Sequence, residues 1–103
     1  MKLLTLIVHT HVQQDLIDLL RTIDQVSGFT FAPAEGHGRE AESDTFLSAR
    51  DAVVGHVPRI RVDILLEDTD VATVLAKLCD KENNITGQGL YWVTPIEQRG
   101  HLL

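Results

Sequence analysis

The chain has 103 residues, enough for one hydrophobic core and too few for two, so a single domain over residues 1–103 is expected. Its 44% hydrophobic and 23% charged residues, with only three prolines, exclude a disordered or collagen-like chain. A formal net charge of -6 would repel a phosphate backbone, so nucleic acid is not an expected partner.

The first strand is expected over Leu3–His9. Leu4, Leu6 and Val8 form one alternating set and Leu3, Thr5 and Ile7 the other, the pattern of a strand covered on both faces. It lacks the cleavage pattern of a secretory leader and reads as part of the fold. From Val12 the apolar residues Leu16, Leu19, Leu20 and Ile23 recur at helical spacing, with Asp15, Asp18, Arg21 and Asp24 opposite, which predicts an amphipathic helix. Ser27-Gly28 stops it. Phe29 to Ala32 alternate as a second strand, which Pro33 either closes or places at a sheet edge.

Residues 34–48 carry Gly36, Gly38 and several charges with little periodicity, which predicts a long loop, mobile over about 35–48. Ser48–Val54 is ambiguous between helix and strand. In the third strand Ile60, Val62, Ile64 and Leu66 point one way and Arg59, Arg61, Asp63 and Leu65 the other. Asp68 or Thr69 is expected to cap a second helix with the stripe Val71, Val74, Leu75, Leu78 and Cys79, ended by Asn83-Asn84. Thr86-Gly87-Gln88-Gly89 is a glycine turn leading into a last strand, Leu90–Thr94, which Pro95 terminates.

This order is the βαββαβ arrangement of an α+β, ferredoxin-like fold: a four-stranded antiparallel sheet with two helices on one face. Two helices cover one face only. Leu3, Ile7 and Leu65 on the other would form an apolar patch, sealed either by self-association or by the tail residues Ile96, Leu102 and Leu103 folding back.

Three segments resemble the PII signal-transduction family of trimeric regulators. Glu35-Gly36-His37-Gly38-Arg39-Glu40 looks like the family's Gly-x-Gly-Arg lead into its T-loop. Val57-Pro58-Arg59-Ile60-Arg61-Val62-Asp63-Ile64 is similar to its third strand, Leu-Pro-Lys-Val-Lys-Ile-Glu-Ile. Thr86-Gly87-Gln88-Gly89-Leu90-Tyr91-Trp92-Val93-Thr94-Pro95-Ile96-Glu97 resembles the stretch that opens the family's nucleotide loop. The resemblance implies a homotrimer with small-effector sites at subunit clefts. Gly36, Gly38, Arg39, Gly87, Gln88, Gly89 and Arg99 are then the ligand-binding residues, and the loop contacts a partner.

It also implies adenine nucleotide as the cofactor class. That contact is weakened where Leu90 replaces the family's phosphate-facing Lys and where Arg99 stands alone in place of two arginines. The loop has no Tyr for covalent nucleotidylation. The short, histidine-bearing chain is most similar to a divergent PII-like subgroup associated with heavy-metal efflux systems of the RND type, which makes a membrane transporter the expected partner.

His9 and His11 are a possible transition-metal pair if the extended conformation persists, a third ligand coming from His37, His56, His101, Cys79 or a neighbouring subunit; two solvated histidines are the plainer reading. A trimer similar in fold to the CutA family, binding a metal through that pair, is the alternative function. Cys79, the single cysteine, is expected to be a small buried thiol, and a chain without an internal disulfide is expected in the cytoplasm. The carboxylates Glu35, Glu40, Glu42 and Asp44 read as a solvated loop, and one of Tyr91 and Trp92 as core with the other at an interface. No nucleophile-base trio, Walker loop or dinucleotide fingerprint is present, so a binding module is expected and not an enzyme. No apolar run approaches the ~20 residues that cross a bilayer, so direct insertion is not expected.

Overall fold

A computed structural model describes residues 1–37 and 57–103. The expectations for Gly38, Arg39, the rest of the loop at 35–48 beyond His37, the segment 48–54 and His56 lie outside the described residues.

The strands are β1 (Lys2–His9), β2 (Thr30–Gly36), β3 (Val57–Leu66) and β4 (Gly89–Pro95); the helices are α1 (Gln13–Arg21) and α2 (Val71–Leu78). Every neighbouring pair is antiparallel in the order β2-β3-β1-β4, so β1 is central, as expected, and β2 and β4 are the edges. Leu4 pairs with Ile64 and Val93, and Leu6 with Val62 and Tyr91, so these residues share one face. Leu4, Leu6, Val62 and Ile64 form one buried cluster with Leu16 and Leu20 of α1 and Val74 and Leu78 of α2. Both helices therefore cover that face, and each of these side chains contributes about 1.5–3 kcal/mol through burial.

Several boundaries differ from expectation for local reasons. The turn from Thr10 to Val12 is a 3-10 segment that precedes α1, so the extended conformation does not persist past His9. α1 ends at Arg21, where the Thr22 hydroxyl donates to the Leu19 carbonyl at 2.7 Å. β2 runs through Pro33 to Gly36, so Pro33 does not close it and Glu35 and Gly36 belong to the sheet. An edge strand tolerates this because half of its N–H groups face no partner. Neither Asp68 nor Thr69 caps α2 through its side chain; Asp68 instead pairs with the Met1 amine at 2.7 Å. Cys79 is exposed, one residue past the end of α2, where the helical stripe no longer applies.

Two glycines are required by the backbone. Gly87 has φ +80°, in the region L side chains avoid. Gly89 lies so close to β1 that a Cβ would fall on the Ile7 carbonyl oxygen and sit 2.9 Å from Val8 Cα. Among the described residues no helix is long and apolar enough to cross a membrane.

Because both near atoms are backbone, the β1–β4 pairing must shift to admit a methyl group. Gly89→Ala is expected to lower stability by about 1–3 kcal/mol. Gly28→Ala, with nothing within 4 Å of its Cβ position, stays within about 0.5 kcal/mol of the parent. Urea unfolding at pH 7 checks both.

Candidate ligand-binding site and the open sheet face

The glycine turn is built from the end of α2. Asn83 Nδ2 donates to the Lys77 and Leu78 carbonyls at 2.9 and 3.1 Å, satisfying helix-end acceptors, while its Oδ1 accepts from the Ile85 and Thr86 amides at 3.0 and 3.2 Å. The Thr86 hydroxyl donates to the Asp80 carbonyl at 2.7 Å. One asparagine thus ends the helix and shapes the approach to Gly87. Sequence inspection saw Asn83 only as a helix stop; the spacing Asn-x-x-Thr-Gly ahead of a strand is the signal it missed.

Gln88 closes the turn onto β1: its carbonyl accepts from the His9 amide at 3.0 Å, and its own amide donates to the Ile85 carbonyl at 3.0 Å. Gln88 Oε1 is buried without a hydrogen-bond partner among the described residues. Gly36 lies at the same end of the sheet, opposite Val57, with Arg59 Cγ 3.1 Å from where its Cβ would be. His9 pairs with Arg59 one position beyond the Val8–Gly89 pair, so Gly36, His9 and Gly87–Gly89 all belong to this end.

Arg99 does not. Beyond β4 the Ile96 amide donates to the Met1 carbonyl at 3.0 Å, and Arg99 and His101 line a cavity of about 680 Å³ together with Met1, Leu3, Gln25 and Leu65, at the opposite end. The family-implied ligand set is therefore split within one chain. Within a single chain the glycine turn has its Gln88 N–H committed to the Ile85 carbonyl, Leu90 in place of the lysine and Arg99 at the other end, whereas the resemblance implies a site between subunits.

His9 and His11 do come together, with ring centroids 5.2 Å apart and planes at 49°, brought there by the 3-10 turn and not by an extended strand. Among the described residues no group of three His, Cys, Asp or Glu side chains is placed to hold a metal ion.

The helix-free face carries Leu3, Thr5, Ile7, Arg61, Asp63, Leu65, Leu90 and Trp92 by register. Leu65, Leu90 and Trp92 are exposed, at 39%, 48% and 39%, and Tyr91 on the other face at 49%, so neither aromatic of β4 is core. Leu102 and Leu103 are fully exposed and do not seal this face. Its centre is polar. The buried Thr5 hydroxyl donates to Asp63 Oδ1 at 2.7 Å, Arg61 Nε donates to Asp63 Oδ2 at 3.0 Å, and the Arg61 guanidinium lies 5.9 Å from the Trp92 ring centroid. Arg61 and Asp63, which the alternation of β3 puts on one face, pair with each other within a single chain.

The model of one protein family matches residues 1–103: DUF3240, described as a protein of unknown function. The chain belongs to the DUF3240 family. The crystal structure of a DUF3240 family protein from Shewanella baltica OS155, at 2.40 Å resolution, is similar to it with a TM-score of 0.73 and 25% sequence identity, covering 99% of this chain and 96% of that one. The split between the Gly87 turn and Arg99 is thus a property of a DUF3240 chain taken singly.

Burial pulls the Asp63 carboxyl upward, but hydrogen bonds from Arg61 and Thr5 and the guanidinium charge outweigh it, holding the group below its ordinary value of 3.8. A depressed folded-state pKa gives stability that is present above the unfolded value and lost as pH falls through the folded one. The stability advantage of the wild type over Asp63→Asn is therefore expected to be constant from pH 7 to about 5 and to shrink below about pH 4. Chemical denaturation of the two proteins across that range checks it.

Proposed function

We propose that this DUF3240 protein is a PII-like sensing module: a cytoplasmic homo-oligomer, in the simplest case a trimer, that binds a small effector at the seams between copies. It reports the effector's presence to a partner, a heavy-metal efflux transporter being the favoured class, through the segment that follows β2. The reading does not call for catalysis. It is supported by the ferredoxin-like fold and the three PII-like segments, and the observation that carries it is the open sheet face. Leu65, Leu90 and Trp92 are exposed there beside the half-buried Leu3 and Ile7; the tail approaches this surface at Leu3 and Leu65 through Ile96, Arg99 and His101 but leaves Leu90 and Trp92 exposed, and a second copy is the ordinary means of covering such a surface.

Self-association also accounts for the split ligand set. Gly36, Gln88 and Gly89 lie at one end of the sheet and Arg99 at the other, so only a contact between copies can place Arg99 beside the glycine turn. There it supplies the positive charge missing at Leu90, and Gln88 Oε1 remains an acceptor for an effector N–H. The CutA-like metal reading has the His9–His11 ring pair in its favour and ranks second, since it needs a third ligand that the described residues do not supply.

Sedimentation velocity is expected to give a particle well above 11.5 kDa. Trp92→Asp, which sets a charge in the apolar face, is expected to drive it toward that mass with the fold retained by circular dichroism. A wild type that sediments as a lone chain across dilution defeats the reading. For the effector, millimolar ATP, ADP and AMP are expected to raise the melting temperature of the wild type and to lose the effect in Arg99→Ala, while absence of any shift removes nucleotides as its class.

A further inference from the structure

His9 and His11 stand where β1 gives way to α1, on backbone that is held at both ends. Val8 before them and Val12 after them are buried in the core cluster, and the 3-10 turn Thr10–Val12 leads straight into the helix. Their side chains remain within reach of ions in solution, since His9 is half-buried and His11 exposed. The ring centroids are 5.2 Å apart.

We infer that His9 and His11 chelate one divalent transition-metal ion within a single chain, Cu²⁺ most tightly, with water at the remaining positions, and that the bound ion restrains the Gly87–Gly89 turn. This site depends neither on self-association nor on the effector proposed above.

The spacing of the rings suits a shared ion. Two imidazoles on neighbouring tetrahedral positions, each bound through nitrogen at ~2.0–2.1 Å, set their ring centres about 5 Å apart. Donor type then selects the ion. Neutral imidazole is the commonest protein ligand of Zn²⁺, Cu²⁺ and Ni²⁺, and affinity for divalent ions of this row peaks at Cu²⁺. Because the turn already holds the two rings together, little ordering is left for the ion to impose. A closed structural site would call for further protein ligands, but an exchangeable ion keeps open positions that water fills. Arg59, which pairs with His9 in register and donates to the Pro58 carbonyl at 3.3 Å, opposes a cation and keeps the site reversible.

The position of His9 gives the ion a consequence. Its amide donates to the Gln88 carbonyl at 3.0 Å, the bond that closes the glycine turn onto β1. An ion that anchors the His9 side chain also anchors the residue that carries this bond, so local opening of the turn becomes rarer.

Calorimetric titration of Cu²⁺ and Zn²⁺ is best done in the full-length Cys79→Ser chain, which lacks the single, exposed thiol. One ion per chain is expected, with Cu²⁺ the tighter. Affinity is expected to fall at least tenfold in His11→Ala, a change at an exposed position, and to stay within twofold in His37→Ala and in His101→Ala. Electron paramagnetic resonance of the Cu²⁺ form should show coupling to two imidazole nitrogens, one of them lost in His11→Ala. With Zn²⁺ bound, hydrogen exchange of the His9 amide is expected to slow at least threefold, and not to slow in His11→Ala. Equal affinities with and without His11, in variants that keep their circular dichroism spectrum, overturn the site and leave the rings as a stacking pair. Metal binding of the expected kind with unchanged exchange at His9 upholds the chelate and overturns its action on the turn. An oligomer that binds neither ion overturns the whole inference while the sensing module stands, and a monomer that binds Cu²⁺ through both histidines does the reverse.

Discussion

The architecture depends on the central strand being apolar on both sides while, among the described residues, helices cover only one. β1 sits between β3 and β4, so Leu4, Leu6 and Val8 are sealed by α1 and α2, and Leu3 and Ile7 lie on the face opposite those two helices. Covering the second face from within would take another layer, and the residues after β4 do not form one. Ile96 extends the β1 pairing by a single hydrogen bond, Arg99 and His101 cross the far end of the sheet, and the two leucines point to water. Uncovered apolar surface of this kind raises the free energy of a solitary chain in proportion to its area, which favours association over any refinement of the monomer.

The polar centre of that face argues for a defined arrangement of copies in place of indiscriminate stickiness. Thr5, Asp63 and Arg61 form a satisfied network under the Trp92 ring, so covering the face with another chain leaves no buried charge without its partner. A satisfied ion pair inside an apolar seam adds little net affinity. It does penalise packings that would separate Asp63 from Arg61, because each would then be desolvated alone. In this reading Leu65, Leu90 and Trp92 supply the attraction, and Arg61 with Asp63 selects the geometry.

Most of the fold was legible because it is written in period and punctuation. The doubly apolar β1, the helical stripe through Leu16 and Leu20, the alternation from Arg59 to Leu66 and the glycine turn all carry signals that depend on near neighbours in sequence. Pro33 was compatible with either closing β2 or lying in its edge; the strand order decides for the edge. The misreadings have a different origin. Cys79 fell at the correct helical position but one residue after the helix stops, where the turn held by Asn83 takes over. One of Tyr91 and Trp92 was expected in the core because large aromatics usually are; the exposure of both follows from β4 being an edge. The candidate site was legible as residue types but not as a place, since sequence adjacency to β4 hides that Gly89 and Arg99 mark opposite ends of the same strand.

That separation has a thermodynamic consequence for the proposed sensing module. An effector that needs Gly87–Gly89 of one copy and Arg99 of the next binds assembled seams and not single chains, so its affinity and the strength of assembly are linked and each raises the other. Head-to-tail contacts close into a ring only when the rotation between copies returns to its start, and otherwise they propagate as a filament. In the proposed assembly a ring with the open face turned inward buries the same Leu65, Leu90 and Trp92 surface of every subunit around one axis. A filament would leave that surface exposed at both growing ends. Within the proposed module, burial of that one face is what favours closure over propagation.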